Sequence, residues 1–138
     1  MDAADWSFPT AIRFGPGRIT ELPEVLSLLG IGRPLLVTDE GLVELPILRN
    51  TQALLVEADV DAMLYSNVQG NPTEANVNGG LEMLRSANCD GVIAFGGGSA
   101  LDAGKTIAMM AGQSRPLWDY VDGEETWMLV DPQGILPV

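Results

Sequence analysis

Three successive glycines constrain this chain more than any other feature. They lie in the run Phe95-Gly96-Gly97-Gly98-Ser99-Ala100-Leu101-Asp102-Ala103-Gly104-Lys105. They close an apolar stretch, Gly91-Val92-Ile93-Ala94-Phe95, and open another with helical spacing. A strand that turns through side-chain-free backbone into a helix N-terminus aims several N–H groups at one point, and the helix dipole adds partial positive charge there. Such a place suits a phosphate. The dinucleotide fingerprint G-x-G-x-x-G is not met, because Leu101 stands where its third glycine belongs. The Walker pattern fails as well: it needs a glycine at Ser99, and Gly98 is one residue too far from Gly104. Gly104-Lys105-Thr106 is therefore not the end of a P-loop.

The rest of the chain alternates strand-like and helix-like segments, the signature of parallel α/β packing. Ala11–Phe14 predicts a short strand followed by a turn at Gly15-Pro16-Gly17. Ile19, Leu22, Val25, Leu26 and Leu29 fall at helical spacing, and Gly30 ends that element. Pro34–Thr38 is a continuous apolar run suited to a strand buried on both faces. Glu40–Val56 is helix-prone, with Pro46 starting a new turn or kinking it. Asp61–Ser66 is the next strand and 67–73 a loop, after which Thr73 is the expected N-cap of a helix reaching Ala87. Gly79-Gly80 weakens that helix by ~1 kcal/mol per glycine. Gly91–Phe95 is a central strand and Ser99–Ala111 the helix that follows. The segment 112–134 predicts a polar excursion or short hairpin, and Gly134–Val138 looks like the opening of a fifth strand. The expectation is one domain over 1–138, with a parallel, Rossmann-like sheet and helices on both faces.

The glycine run resembles the G-G-G-S-x-x-D-x-[AG]-K motif of the iron-containing (metal-dependent, group III) alcohol dehydrogenase family. Phe14-Gly15-Pro16-Gly17, Leu35-Leu36-Val37-Thr38-Asp39-Glu40-Gly41-Leu42, Asn71-Pro72-Thr73 with Asn76-Val77, and Leu117-Trp118-Asp119-Tyr120 are similar to further family segments, in the same order. The resemblance implies the N-terminal, nucleotide-binding half of such an enzyme, with a dehydroquinate synthase-like fold. The family's helical metal domain is expected to be absent. Members hold Fe²⁺ or Zn²⁺ with one Asp and three His, and this sequence contains no histidine. The metal is accordingly expected only in a full-length enzyme. The resemblance further implies that the chain's end leads toward a Thr-Thr-x-Gly-Thr-Gly-Ser-Glu segment.

Gly96, Gly97, Gly98 and Ser99 are the candidate pyrophosphate cradle, with a tight turn lacking any ligand as the alternative. Ser99 and Asp102 have the spacing of a capping box, while the resemblance places Asp102 near the nicotinamide end of the cofactor. Lys105 can meet Asp102 one helical turn on, or else serve the cofactor phosphates. Asp39 ends an apolar strand, where open parallel sheets bind ligands. There a carboxylate can accept from an adenosine ribose and repel a 2′-phosphate, which favours NAD over NADP; an N-cap role for Asp39 or Glu40 is the alternative. The resemblance assigns Asn71 beside adenine and ribose, where a plain turn would explain it equally. Cys89 reads as a packed thiol, with no histidine to activate it. No residue of the chain is assigned a catalytic or metal-binding role.

Net charge is −12, with one lysine and six arginines, which argues against nucleic acid or an anionic membrane as partner. One cysteine, an acidic start unlike a signal peptide and no apolar run approaching ~20 residues point to the cytoplasm. Self-association through an exposed edge or face stays open. Two functions remain. One is the NAD-binding half of a metal-dependent alcohol dehydrogenase, transferring hydride between nicotinamide and an alcohol or aldehyde and inactive alone. The other is a non-catalytic nucleotide-binding or interaction module.

Overall fold

The computed structural model describes residues 10–121, 123 and 125–138. Its elements run α1 (Leu22–Leu29), β1 (Pro34–Asp39), α2 (Pro46–Glu57), β2 (Met63–Val68), α3 (Glu74–Ser86), β3 (Gly91–Ala94) and α4 (Gly98–Met110). A 3₁₀ turn at Arg18–Glu21 precedes α1, and three more follow α4 at Leu117–Tyr120, Glu125–Leu129 and Pro132–Gly134. Among the described residues no helix is long and apolar enough to cross a membrane.

The sheet is parallel, in the order β2-β1-β3, so the central strand must bury both of its faces. Pro34–Thr38 can do so because the run carries no charge and every one of its residues is buried. Leu35 and Val37 point to one side, into a core shared with Val77, Leu81 and Leu84 of α3 and Ala103 and Ile107 of α4. Leu36 points to the other side, with Leu26 of α1, Leu48 and Leu55 of α2, and Ile93 of β3. The two-residue period of a strand thus divides the helices into two layers. The Rossmann-like arrangement read from the sequence is the one observed.

Element ends follow local chemistry. Gly30 closes α1 in the left-handed region, φ 71°, donating to Leu26 and Ser27 carbonyls. Pro46 opens α2 at its first turn, where a missing N–H costs nothing, so 40–45 is a turn segment and not helix. Thr73 is the N-cap of α3; its N–H donates to Asn76 Oδ1 at 2.9 Å, and Asn76 Nδ2 donates to the Asn67 carbonyl at 2.7 Å. The paired glycines inside α3 have a packing reason. A Cβ on Gly80 would lie 2.3 Å from Ile107 Cδ1, and one on Gly79 2.7 Å from the Tyr65 hydroxyl. Gly104 is a stricter case, since its Cβ would meet Ala94 Cβ at 2.6 Å and Ala94 Cα at 3.3 Å. Helix α4 therefore lies against β3 at a distance only glycine permits.

Further expectations change. Ala11–Phe14 is not a strand: Ile12 and Phe14 are 72% and 91% exposed, and none of the described strands pairs with them. β-prone residues alone do not make a strand when no ladder satisfies their backbone. The C-terminal residues also form no assigned strand, although Val92 N donates to the Pro137 carbonyl at 2.9 Å on the open side of β3. The stretch after α4 is no hairpin among its described residues. Its ends are closed by Gln113, 8% exposed, whose Nε2 donates to the Met109 and Asp131 carbonyls at 3.1 and 2.9 Å while its Oε1 accepts from Asp131 N at 2.9 Å.

Ahead of α1, Glu21 accepts from Arg18 Nε at 2.6 Å and from Arg13 Nη1 at 2.7 Å. These bonds, Arg18 first, lower its carboxyl pKa from 4.5 to about 2. Because the folded value is the lower one, the stabilisation is complete above the unfolded pKa and is lost as pH falls through the folded one. An NMR pH titration of Arg18→Ala should show the Glu21 midpoint rising toward 4.5; an unmoved midpoint would exclude the Arg18 bond as its cause.

Candidate functional site

The chain passes from β1 out to β2 and back across β1 to β3, so the strand order reverses between β1 and β3. Open parallel sheets bind ligands at such a reversal, outside the carboxyl ends of the strands. Both strand ends are pinned there. Phe95 N donates to the Val37 carbonyl at 2.8 Å, and Thr38 Oγ1 donates to the Phe95 carbonyl at 2.8 Å. Gly96 then turns the chain at φ 146°, a conformation L side chains rarely adopt. A Cβ there would also meet Ala100 Cβ at 2.9 Å, Leu42 Cδ1 at 3.0 Å and Asp39 Oδ2 at 3.2 Å.

Gly97 and Gly98 differ from Gly96. Gly97 has φ −83° and ψ −166°, which any residue adopts, and a Cβ at either position would meet nothing within 4 Å. Neither turn geometry nor packing requires glycine at these two positions. What they leave is space, at the mouth of a cleft of about 370 Å³ lined by Asp39, Glu40, Gly41, Val68, Gln69, Gly70, Gly97, Gly98 and Ser99. The first N–H groups of α4 lack intrahelical acceptors and carry the positive end of the dipole. This is backbone cleared for close approach by an anion.

The cap of α4 is Gly97, without a side-chain hydrogen bond, so the Ser99–Asp102 capping box does not form. The helix starts two residues earlier than a Ser99 cap requires, which puts Ser99 within the first turn and on the cleft wall. Asp39 is no helix cap either, since α2 begins after Leu45. It faces the turn across the cleft, half-buried beside Gly96. Of the sequence candidates, the structure brings together Asp39, Gly97, Gly98 and Ser99, with Gly96 at their back. Asn71, at φ 54°, is exposed and not among the residues lining this cleft.

Asp102 lines a neighbouring cleft of about 330 Å³ with Glu74, Thr106, Trp118 and Tyr120, where Trp118 Nε1 donates to Glu74 Oε2 at 2.7 Å. Lys105 Nζ lies 3.9 Å from Asp102 Oδ1, both side chains exposed, a pair worth well under ~1 kcal/mol. Cys89 is buried, and desolvation raises its thiol pKa, as expected of a packed thiol. Sequence reading missed Glu40, Gln69 and Gly70 as cleft residues. Glu40 was legible from its place beside Asp39; Gln69-Gly70 required the strand end after Val68, which lies two residues beyond the predicted one.

The fold is of the Rossmann-like α/β class, with a cleft at its strand-order reversal. Residues 9–138 match the family model for iron-containing alcohol dehydrogenase, and the chain belongs to that family. It is 37% identical over 120 residues to alcohol dehydrogenase 4 of Schizosaccharomyces pombe, covering 87% of this chain and 28% of that protein. It is 38% identical over 124 residues to 1,3-propanediol dehydrogenase of Citrobacter freundii, covering 88% and 32% respectively. The crystal structure of sulfoacetaldehyde reductase from Bifidobacterium kashiwanohense in complex with NAD⁺ is similar at a TM-score of 0.74 and 27% identity, over 89% of this chain and 32% of that one. The chain thus spans about a third or less of the length of these relatives.

Iron does not fit the residues at hand. The sequence has no histidine, and among the described residues no group of three or more His, Cys, Asp or Glu is placed to hold a metal ion. No step through a metal is assigned to them. The two kinds of glycine in the turn can be separated by stability alone. Gly96→Ala should cost about 1–3 kcal/mol in urea unfolding, from strained φ plus overpacking, while Gly97→Ala should stay within about 0.5 kcal/mol of wild type. Equal losses at both positions would contradict the geometry described here.

Proposed function

We propose that this chain forms one nucleotide-binding domain, the NAD-holding part of a metal-dependent alcohol dehydrogenase. The carrying observation is the pair Gly97 and Gly98, glycines that neither conformation nor packing demands, open to a cleft at the sheet's reversal point. Backbone N–H groups of Gly97, Gly98 and Ser99 at the α4 N-terminus donate to the pyrophosphate. Asp39 accepts from the adenosine ribose and disfavours a 2′-phosphate. Asn71, which follows the cleft residues Gln69 and Gly70 in the chain, and Asp102, in the neighbouring cleft, extend the contact surface toward the two ends of the dinucleotide. In a complete enzyme, a dinucleotide held here would supply the hydride donor or acceptor for an alcohol or aldehyde carbon. The chain's own residues bind and orient it.

Because the cleft is open to solvent, weak affinity is expected. A dissociation constant on the order of 0.1–1 mM is expected for NAD, roughly 4–5.5 kcal/mol, and a weaker one for NADP. NMR titration of both nucleotides against wild type, Asp39→Gly and Gly97→Val tests this. Asp39→Gly should narrow the preference, and Gly97→Val should abolish binding while leaving the fold intact. Binding that survives Gly97→Val would move the site elsewhere.

The same reading gives the isolated chain no alcohol dehydrogenase activity, since it supplies no metal ligand set. Purified chain with added Fe²⁺ or Zn²⁺ should form no NADH from primary alcohols. Alcohol-dependent NADH formation that Gly97→Val removes would defeat this part of the proposal.

A further inference from the structure

We infer that Glu40 is a second specificity-determining residue of the cleft, sharing with Asp39 the exclusion of nucleotides that carry an additional phosphate. The inference rests on the nucleotide reading above. The residues lining the cleft include two carboxylates, Asp39 and Glu40, and neither lysine nor arginine. The chain's cations are engaged elsewhere. Arg13 and Arg18 pair with Glu21, Arg33 with Asp61, Arg49 with Glu44, Arg115 with Asp119 and Lys105 with Asp102, while Arg85 Nη2 donates to the Ala111 carbonyl. Among the residues lining the cleft, attraction for an anion therefore comes from backbone N–H groups and a helix dipole equivalent to about half a charge.

That local field serves a pyrophosphate lying on the α4 N-terminus. A phosphomonoester elsewhere on the nucleotide adds a charge of about −1.5 to −2 that no lining cation can meet. Asp39 is half-buried beside the turn and can accept hydrogen bonds, so its effect combines contact with charge. Glu40 is exposed on the rim, so its effect is charge alone, acting through water. Salt must therefore screen it: the screening length falls from about 30 Å at 0.01 M to about 3 Å at 1 M. Removing Asp39 leaves Glu40 in place, so a single substitution relaxes the preference only in part.

The test is NMR titration of NAD and NADP against the 138-residue chain and its variants Glu40→Gln, Glu40→Lys, Asp39→Gly and Asp39→Gly/Glu40→Gln, at 0.01 M and 1 M salt. At low salt Glu40→Gln should narrow the ratio of the two dissociation constants by about threefold and Glu40→Lys by about tenfold. At 1 M salt both should match wild type. The double variant should narrow the low-salt ratio further than Asp39→Gly alone. An unchanged ratio in both Glu40 variants at low salt overturns the inference while leaving the nucleotide reading standing. A change that persists in full at 1 M salt also overturns it, since the effect would then be a contact and not a field. Failure of wild type to bind NAD, or binding untouched by Gly97→Val, removes the nucleotide reading and this inference with it.

Discussion

Everything at the cleft depends on the parallel pairing of β1 with β3. The register Pro34 to Gly91 through Val37 to Ala94 is pinned at both ends. At the start, Asp90 accepts from Gly32 N at 2.9 Å and Arg33 N at 2.8 Å. At the finish, Phe95 bonds to Val37 through its N–H and to Thr38 through its carbonyl. With both ends held, the chain leaves β3 at one place, facing the end of β1. Asp39 and the glycine turn meet there because the pairing allows no other outcome. A shift of one residue would turn Val92 and Ile93 to the wrong faces, and each faces its own helical layer.

The glycines then divide into roles that a motif cannot distinguish. Gly96 has a conformation that excludes side chains, whereas Gly97 and Gly98 are needed only for the space they leave. Gly104, two turns into α4, permits contact with the Ala94 backbone, and Gly80 lets α3 approach Ile107. Each helical glycine costs ~1 kcal/mol in propensity, and close packing of α4 on β3 and of α3 on α4 offsets it. The dinucleotide fingerprint reserves its third glycine for helix–strand contact. In this chain Gly104 takes that task, which explains how Leu101 can stand where the fingerprint has glycine.

Much of this was legible because burial imposes strong patterns. The apolar run Pro34–Thr38 suited a strand buried on both faces, and the step from Gly91–Phe95 into three glycines suited a turn toward a helix. Weaker patterns misled. Ala11–Phe14 has strand composition, but a strand exists only where a neighbour supplies the ladder. The Ser99–Asp102 spacing matched a capping box, yet Gly97 caps the helix and Gly98 opens it, which leaves the serine inside. Gln113 gave no local signal at all. Its three hydrogen bonds to Met109 and Asp131 close a loop whose far end lies 18 residues on, and such a partner can be seen only in three dimensions. The cleft followed the same rule: Asp39 and the glycines stood out singly, whereas the lining by Gln69 and Gly70 depended on where β2 stops.

The charge balance sets the character of the site. A chain of net charge −12 repels anions at long range, so an anion must gain its attraction at contact. The α4 N-terminus supplies such a contact term, because its field fades within a turn of the helix. Arginine or lysine would have supplied a longer-ranged attraction, equally open to any phosphate that approached. On the proposed reading, open backbone would admit an anion where glycine lets it touch, while the rim carboxylates would oppose charge at other approaches. Salt weakens the long-range repulsion faster than the short-range donation. On the proposed reading the site would select by geometry at its floor and by sign at its rim, and salt would weaken the second term more than the first.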